Sequence, residues 1–313
     1  MKHKSYRSGL SGLAQIGALI AAALPMKMLY AIGWGIGIFV YIILAKERRK
    51  VLKHLKFAYR DTLSDKDLKK IGRKVFVNLA FTVTEMLKMN VRSIKFVSEK
   101  VLIRDEDRKT VLEERKRGHG VIFASAHIGN WEALAAYLGY AFAGDQPMVV
   151  IAKRIYYEGY NKMLVELRER LSVKTIYRDE SFMQVARHLK KGGCLGIVTD
   201  QDISSIPGVF VTFFGHETFT PDAPAKLSLI TGASIIPAFI VREERGLRFV
   251  IDKPIHSDGT KDRDSEALRI TQEIASATER IIRRYPDQWA WMHRRWKTQP
   301  EDLSDGSQSE IKV

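Results

Sequence analysis

Between residues 120 and 252, short apolar runs alternate with longer stretches whose apolar positions recur every three or four residues. Strand-like runs fall at 121–126, 147–152, 173–177, 194–199, 209–214, 234–241 and 247–252, and helical ones at 131–140, 157–171, 181–191 and 222–231. Short branched runs interleaved with helices form a sheet covered on both faces. The pattern therefore predicts a layered α/β fold with a largely parallel sheet flanked by helices, turning antiparallel at the late strands. Upstream, Ser64 caps a helix over 64–89 in which Leu68, Ile71, Val75, Leu79 and Met86 share one face; downstream, Ala267, Ile270, Ile274, Ala277 and Ile281 do the same over 264–284. The polar tail from Gln299 is expected to be disordered. There is no internal repeat.

The N-terminal segment follows a different pattern. From Met28 to Ala45 the run MLYAIGWGIGIFVYIILA holds 18 residues without a charge, close to the ~20 that a helix needs to cross a bilayer. Leu10 to Leu24 is a second apolar run, interrupted by Gln15 and closed by Pro25 and Lys27. Lys2, Lys4 and Arg7 give the basic start of a signal peptide, but the combined apolar stretch is too long and has no small-residue cleavage site before the next basic block. A retained N-terminal membrane-anchoring helix is the expectation, with a helix pair lying on the bilayer as the alternative. Lys46, Arg48, Arg49, Lys50, Lys53 and Lys56 outnumber the cations of the N-terminal tip, which puts the rest of the chain on the cytoplasmic side. The expected organisation is an anchor with its basic flank at 1–50, a catalytic domain at 51–298 and a tail at 299–313.

Charge sharpens this reading. Of the formal net charge of +15, residues 1–60 supply eleven Lys/Arg against the single acid Glu47. A basic block bordering apolar sequence fits an anionic membrane surface, and no nucleic-acid-binding motif is present. The one cysteine, Cys194, excludes an intramolecular disulfide framework and any site built from several thiolates. Within Gly193-Cys194-Leu195-Gly196 it reads as a small core residue.

The candidate chemistry sits in Ser125-Ala126-His127-Ile128-Gly129-Asn130-Trp131-Glu132. The first apolar strand ends here, Asn130 is placed to cap the next helix, and His127 lies in the connecting loop at the carboxyl end of the strand, where α/β folds place active sites. Glu132 falls in the first helical turn. It can orient the imidazole of His127, or it can simply favour the helix N-terminal dipole. Ser125 lacks the setting of a nucleophile elbow and is read as structural.

Around this motif the chain resembles the bacterial lipid A biosynthesis acyltransferases, the lauroyl and myristoyl transferases of the lysophospholipid acyltransferase superfamily. His127 to Glu132 matches that family's H-x4-E form. Further blocks follow in order: Ala152-Lys153-Arg154 with Asn161 and Arg168, Leu189 to Gly192, Thr199-Asp200-Gln201-Asp202, Gly208 to Val211 with Phe213-Phe214-Gly215, Thr220-Pro221, Pro237 to Arg242, and Trp289 to Lys297. The chain departs from the family pattern at His54-Leu55, where an asparagine-leucine pair is usual, and after Phe57-Ala58, where a proline is missing.

The resemblance implies transfer of a fatty acyl group from acyl-acyl carrier protein, or acyl-CoA, to a hydroxyl of a lipid A precursor or similar phosphorylated glycolipid at the bacterial inner membrane. His127 would be the base and Glu132 its orienting partner. Arg154 and Arg168 are the candidate phosphate ligands, and Asn130, Asp200 and Asp202 complete the candidate binding residues. Asp200 and Asp202 also invite a metal, but no further ligand stands at a recognised spacing, so neither metal nor cofactor is expected. Phe210, Phe213 and Phe214 fit either a core or an acyl channel. Arg294, Arg295 and Lys297, interleaved with Trp291 and Trp296, suit a bilayer interface or a helix packed on the domain. The rival readings are a glycerophospholipid or other glycolipid acyltransferase, a lipid hydrolase, and a non-catalytic lipid-binding membrane protein.

Overall fold

The computed structural model describes residues 23–304 apart from 155–156 and 179–181. The chain enters through α1 (Met26–Ile43), α2 (Ala45–Tyr59) and the long α3 (Asp65–Lys100). The layered domain follows as β1 (Val101–Leu102), α4 (Asp105–Lys116), β2 (Val121–Ser125), α5 (Trp131–Phe142), β3 (Met148–Ala152), α6 (Glu158–Glu169), β4 (Val173–Tyr177), α7 (Phe182–Lys190) and β5 (Cys194–Val198). The hairpin β6 (Gly208–Phe213) and β7 (His216–Pro221) precedes α8 (Ala223–Thr231), β8 (Ser234–Glu243), β9 (Gly246–Ile251), α9 (Arg263–Arg284) and the turn α10 (Glu301–Ser304).

Seven strands form one sheet in the order β1-β9-β8-β2-β5-β3-β4, and β6 and β7 pair separately. All neighbours in the large sheet run parallel except β8 and β9, so the expected antiparallel turn is the β8–β9 hairpin. Every residue of β2 is buried, which explains why its sequence shows no alternation. β2 lies between β5 and β8, and its register pairs Ser125 with Val198. The carboxyl ends of β2 and β5 therefore emerge side by side.

α1 lies along α3 on the stripe of Leu29, Gly33 and Gly37, which are its buried residues. Gly37 is needed there, because a Cβ would stand 2.5 Å from Val77 Cα. The glycines that dilute the apolar run thus make a groove for close helix packing. The opposite face exposes Trp34, Ile36, Phe39, Ile42 and Ile43. The second apolar run, up to residue 22, lies outside the described residues, as does the tail from 305.

One buried polar cluster joins these helices to the sheet. Glu85 of α3, fully buried, accepts from the Tyr30 hydroxyl of α1 (2.7 Å), from Asn130 Nδ2 (2.8 Å) and from Arg242 of β8 through Nε (2.6 Å) and Nη2 (2.7 Å). Thr82 donates to the carbonyl of Gly129 at 2.7 Å. A buried carboxylate is tolerated when its lone pairs are occupied by charge-assisted donors, and these donors come from the apolar helix, the loop after β2 and the sheet.

Candidate active site

Thr199 N–H donates to Ser125 O (3.0 Å), so the β2–β5 register continues past both strands and brings residue 127 opposite residue 200. Asp200 accepts from His127 Nδ1 at 2.8 Å, from the His127 backbone N–H at 2.8 Å and from Trp289 Nε1 at 2.7 Å. Its side chain is fully buried. Burial alone would raise its pKa, but the charge and hydrogen bond of His127, with His293 and the Trp289 indole, hold the carboxyl well below the usual range. An ionised carboxylate only accepts, so Nδ1 carries the proton and Nε2 is left as the basic nitrogen. For His127 burial disfavours charge, yet Asp200, through charge and hydrogen bond, and the charge of Glu132 outweigh it and raise the pKa above its ordinary value.

The loop is fixed from two sides. Gly129 has φ +58°, and a Cβ there would meet Ile240 O at 2.0 Å, so only glycine fits. Ala290 N–H donates to His127 O and Gly129 N–H to Gln288 O, both at 3.0 Å, and Ile128 bridges to Trp289. The aromatic-basic C-terminal segment is thereby the second wall of the site.

This arrangement changes the role expected of Glu132. The imidazole's hydrogen-bond partner is Asp200, while Glu132 receives both arms of Arg168, Nε at 2.9 Å and Nη2 at 2.7 Å. Glu132 is close enough to support the charge of His127 but does not hold its ring. Arg168 is accordingly paired with a carboxylate inside the protein, not held open for a phosphate.

Two further binding candidates are structural. Asn130 is fully buried; its Oδ1 caps α5 by accepting from Ala133 N–H (2.9 Å) and its Nδ2 serves Glu85. Asp202 accepts from the N–H groups of Lys297 (3.0 Å) and Thr298 (2.6 Å) and from the Thr298 hydroxyl (2.6 Å), which pins the C-terminal segment. Arg154 stacks over the Tyr177 ring at 3.9 Å. The expected interfacial placement of Arg295 and Trp291 also gives way: both are buried, and Arg295 donates to Phe219 O and Thr220 Oγ1, each at 2.6 Å. Phe213 and Phe214 belong to the buried cluster with Trp289 and Trp291, which selects the core over the acyl channel. Cys194 is a buried core thiol.

His127, Glu132 and Arg168 line a cavity of about 750 Å³ whose deeper wall is apolar, with Phe123, Leu134 and Val150 among its residues. That size fits a substantial organic ligand. Ser125 opens on the same cavity, and its hydroxyl is buried without a partner among the described residues. His293, whose ring lies 5.0 Å from that of His127, has its pKa lowered by burial first and then by His127, Lys50 and His54, against the opposing pull of Asp200. Sequence reasoning missed the link of Asp200 and Trp289 to the imidazole, because it depends on strand order. The available signal was that His127 and Asp200 both fall just past the ends of apolar strands.

Known proteins share this architecture's sequence. A phosphatidylinositol mannoside acyltransferase of Mycolicibacterium smegmatis is 27% identical over 60% of this chain and 59% of its own length. A lipid A biosynthesis palmitoleoyltransferase of Escherichia coli is 27% identical over 59% of this chain and 58% of its own. A lipid A biosynthesis lauroyltransferase of Escherichia coli is 22% identical over 92% of each. The chain thus spans 59% of the length of the mannoside acyltransferases it matches. The family described as bacterial lipid A biosynthesis acyltransferase matches residues 3–298, nearly the whole chain. The chain therefore belongs to the bacterial lipid A biosynthesis acyltransferase family.

Proposed function

We propose that this protein is a membrane-anchored O-acyltransferase that moves a fatty acyl group from a carrier thioester to a hydroxyl of a phosphorylated glycolipid. The observation that carries the reading is His127 lining a largely apolar cavity, with Nδ1 held by a buried, ionised Asp200 and Nε2 left basic. Nε2 takes the proton of the acceptor hydroxyl as its oxygen attacks the thioester carbonyl. The carbon–oxygen bond forms, the carbon–sulfur bond breaks, and the imidazolium returns the proton to the departing thiolate. Asp200 keeps the tautomer and offsets the transient charge without itself being protonated. No enzyme nucleophile is needed, which agrees with Ser125 standing outside any such setting.

The relatives named for lipid A and for phosphatidylinositol mannoside both act on glycolipids, which supports that acceptor class, with acyl-acyl carrier protein or acyl-CoA as donor. α1, an 18-residue helix apolar but for Lys27 and with 17% of it buried, supports anchoring. The cations that follow it support an active site on the cytoplasmic face of the inner membrane. Substitution His127→Ala is expected to abolish acyl transfer in a purified assay and to remove one acyl chain's mass from the glycolipids of cells that depend on this enzyme. Unchanged turnover would refute the mechanism. Free fatty acid without acylated lipid would make the protein a hydrolase.

A further inference from the structure

α2 follows α1 with one residue, Leu44, between them, and Arg48 locks the junction by donating from Nη1 to Tyr41 O (2.8 Å) and Ile42 O (2.9 Å). The inner face of α2 buries Val51, Leu55 and Ala58. The neighbouring stripe carries Lys46, Arg49, Lys50 and Lys53, at positions i, i+3, i+4 and i+7 of one helical side. Facing it across a second cavity, of about 530 Å³, stand Arg294, Trp296 and Lys297. No acid lines this basin. Glu47 pairs with Lys50 at 2.9 Å, while Lys46, Arg49, Lys53, Arg294 and Lys297 have no carboxylate within ion-pair distance among the described residues.

The floor is His54, which donates from Nδ1 to Trp291 O at 2.7 Å and meets Trp296 edge-on. Burial first, and then the charges of Lys50, Lys53 and Arg294, lower its pKa against the pull of that carbonyl. Cations crowded together without counter-charge repel one another, and an anion between the walls relieves that repulsion. The two guanidiniums offer forked donors that match a phosphate.

We infer that this basin is the subsite for the phosphate-bearing headgroup of the acceptor lipid, an inference that rests on the acyltransferase reading. Position supports it. The basin opens directly after the apolar helix. It shares no lining residue with the apolar cavity at His127. The segment that forms its second wall is the one that holds His127, through Ala290 N–H on His127 O and the neighbouring His293 ring. The acyl chain and the charged headgroup thus occupy separate spaces that the 289–297 segment joins at His127.

The test pairs kinetics with binding. The full-length enzyme with Lys53→Gln and Arg294→Gln, both exposed side chains on opposite walls, is assayed with a glycolipid acceptor carrying or lacking its phosphate. The double variant is expected to raise KM for the phosphorylated acceptor about tenfold or more. Its kcat, its donor KM and its KM for the dephosphorylated acceptor stay near wild type, and Lys53→Arg with Arg294→Lys restores most of the loss. A raised donor KM with unchanged acceptor KM would assign the basin to an acidic carrier protein and overturn the inference. Loss of binding to phosphatidylglycerol vesicles with unchanged acceptor KM would assign it to bulk phospholipid and overturn it equally, as would no change at all. Calorimetric binding of a hexose 1-phosphate, compared with the free hexose, is read on the His127→Ala protein and needs no turnover. Phosphate binding that depends on Lys53 and Arg294 in a protein still active without His127 would refute the catalytic mechanism while leaving the anion site in place.

Discussion

Asp200 spends three hydrogen bonds on two residues and has no surface left for water, so its charge acts on His127 undiluted. As the proposed base, His127 must be neutral at Nε2 to accept a proton, and its pKa is raised. Activity should therefore fall as pH drops through a value above the ordinary imidazole pKa of ~6.5. Asp200→Asn removes the raising charge: the acid limb of kcat/KM is expected to move to lower pH while kcat drops on the order of 10³–10⁴-fold as the tautomer is lost, both read from one pH–rate series. Glu132 behaves differently. Glu132→Ala leaves Arg168, 13% exposed, without its carboxylate, and breaking such a buried pair costs about 3–5 kcal/mol. Denaturant unfolding should record that loss, with a smaller downward move of the His127 acid limb, because Glu132 contributes charge but no hydrogen bond. The placement of His127 in the loop just past β2 was legible in the sequence. The partner of the imidazole was not, because residues 127 and 200 meet only through the order in which β2 and β5 pair.

Among elements, helix packing tests the reading of the glycines. Gly37→Leu forces side-chain atoms into the backbone of Val77, and overpacking of this kind costs about 1–3 kcal/mol. Gly35, with nothing within 4 Å of its would-be Cβ, should accept alanine with a gain of up to about 1 kcal/mol in helix propensity. Thermal unfolding in one detergent distinguishes the two sites; equal effects would mean that α1 does not lie on α3. Strand and helix periodicity located β2 to β6, β8, β9 and α5 to α9 to within a few residues, because buried runs and one-faced helices leave a strong pattern. α4 escaped, since DEDRKTVLEERK buries only Asp107 and Val111 and offers too little apolar periodicity. α2 escaped because its apolar face of Val51, Leu55 and Ala58 is narrow and is surrounded by cations that fit a membrane flank. α3 runs to Lys100, past the predicted 89. β7 was hidden by its polar composition, HETFTP, although most of it is buried.

At the scale of the molecule, one end of the fold is apolar outside and charged just beneath. Ile36, Phe39 and Ile42 are 49%, 62% and 63% exposed, so replacing all three with serine should leave the fold intact and sharply reduce flotation with lipid vesicles. Retained flotation would place the membrane contact elsewhere. The sequence foresaw an apolar helix followed by cations, but not that the C-terminal segment folds back to meet those cations, since the whole sheet lies between Lys53 and Arg294 in the chain. The Tyr30–Glu85–Asn130 cluster carries a practical consequence for anyone preparing this protein. Removing the residues up to Leu44 to obtain a detergent-free fragment would take away the Tyr30 hydroxyl and leave Glu85 short of a donor, one hydrogen bond from Asn130, which caps α5. Inactivity of such a fragment would report damage to the support of the His127 loop and would say nothing about a need for lipid.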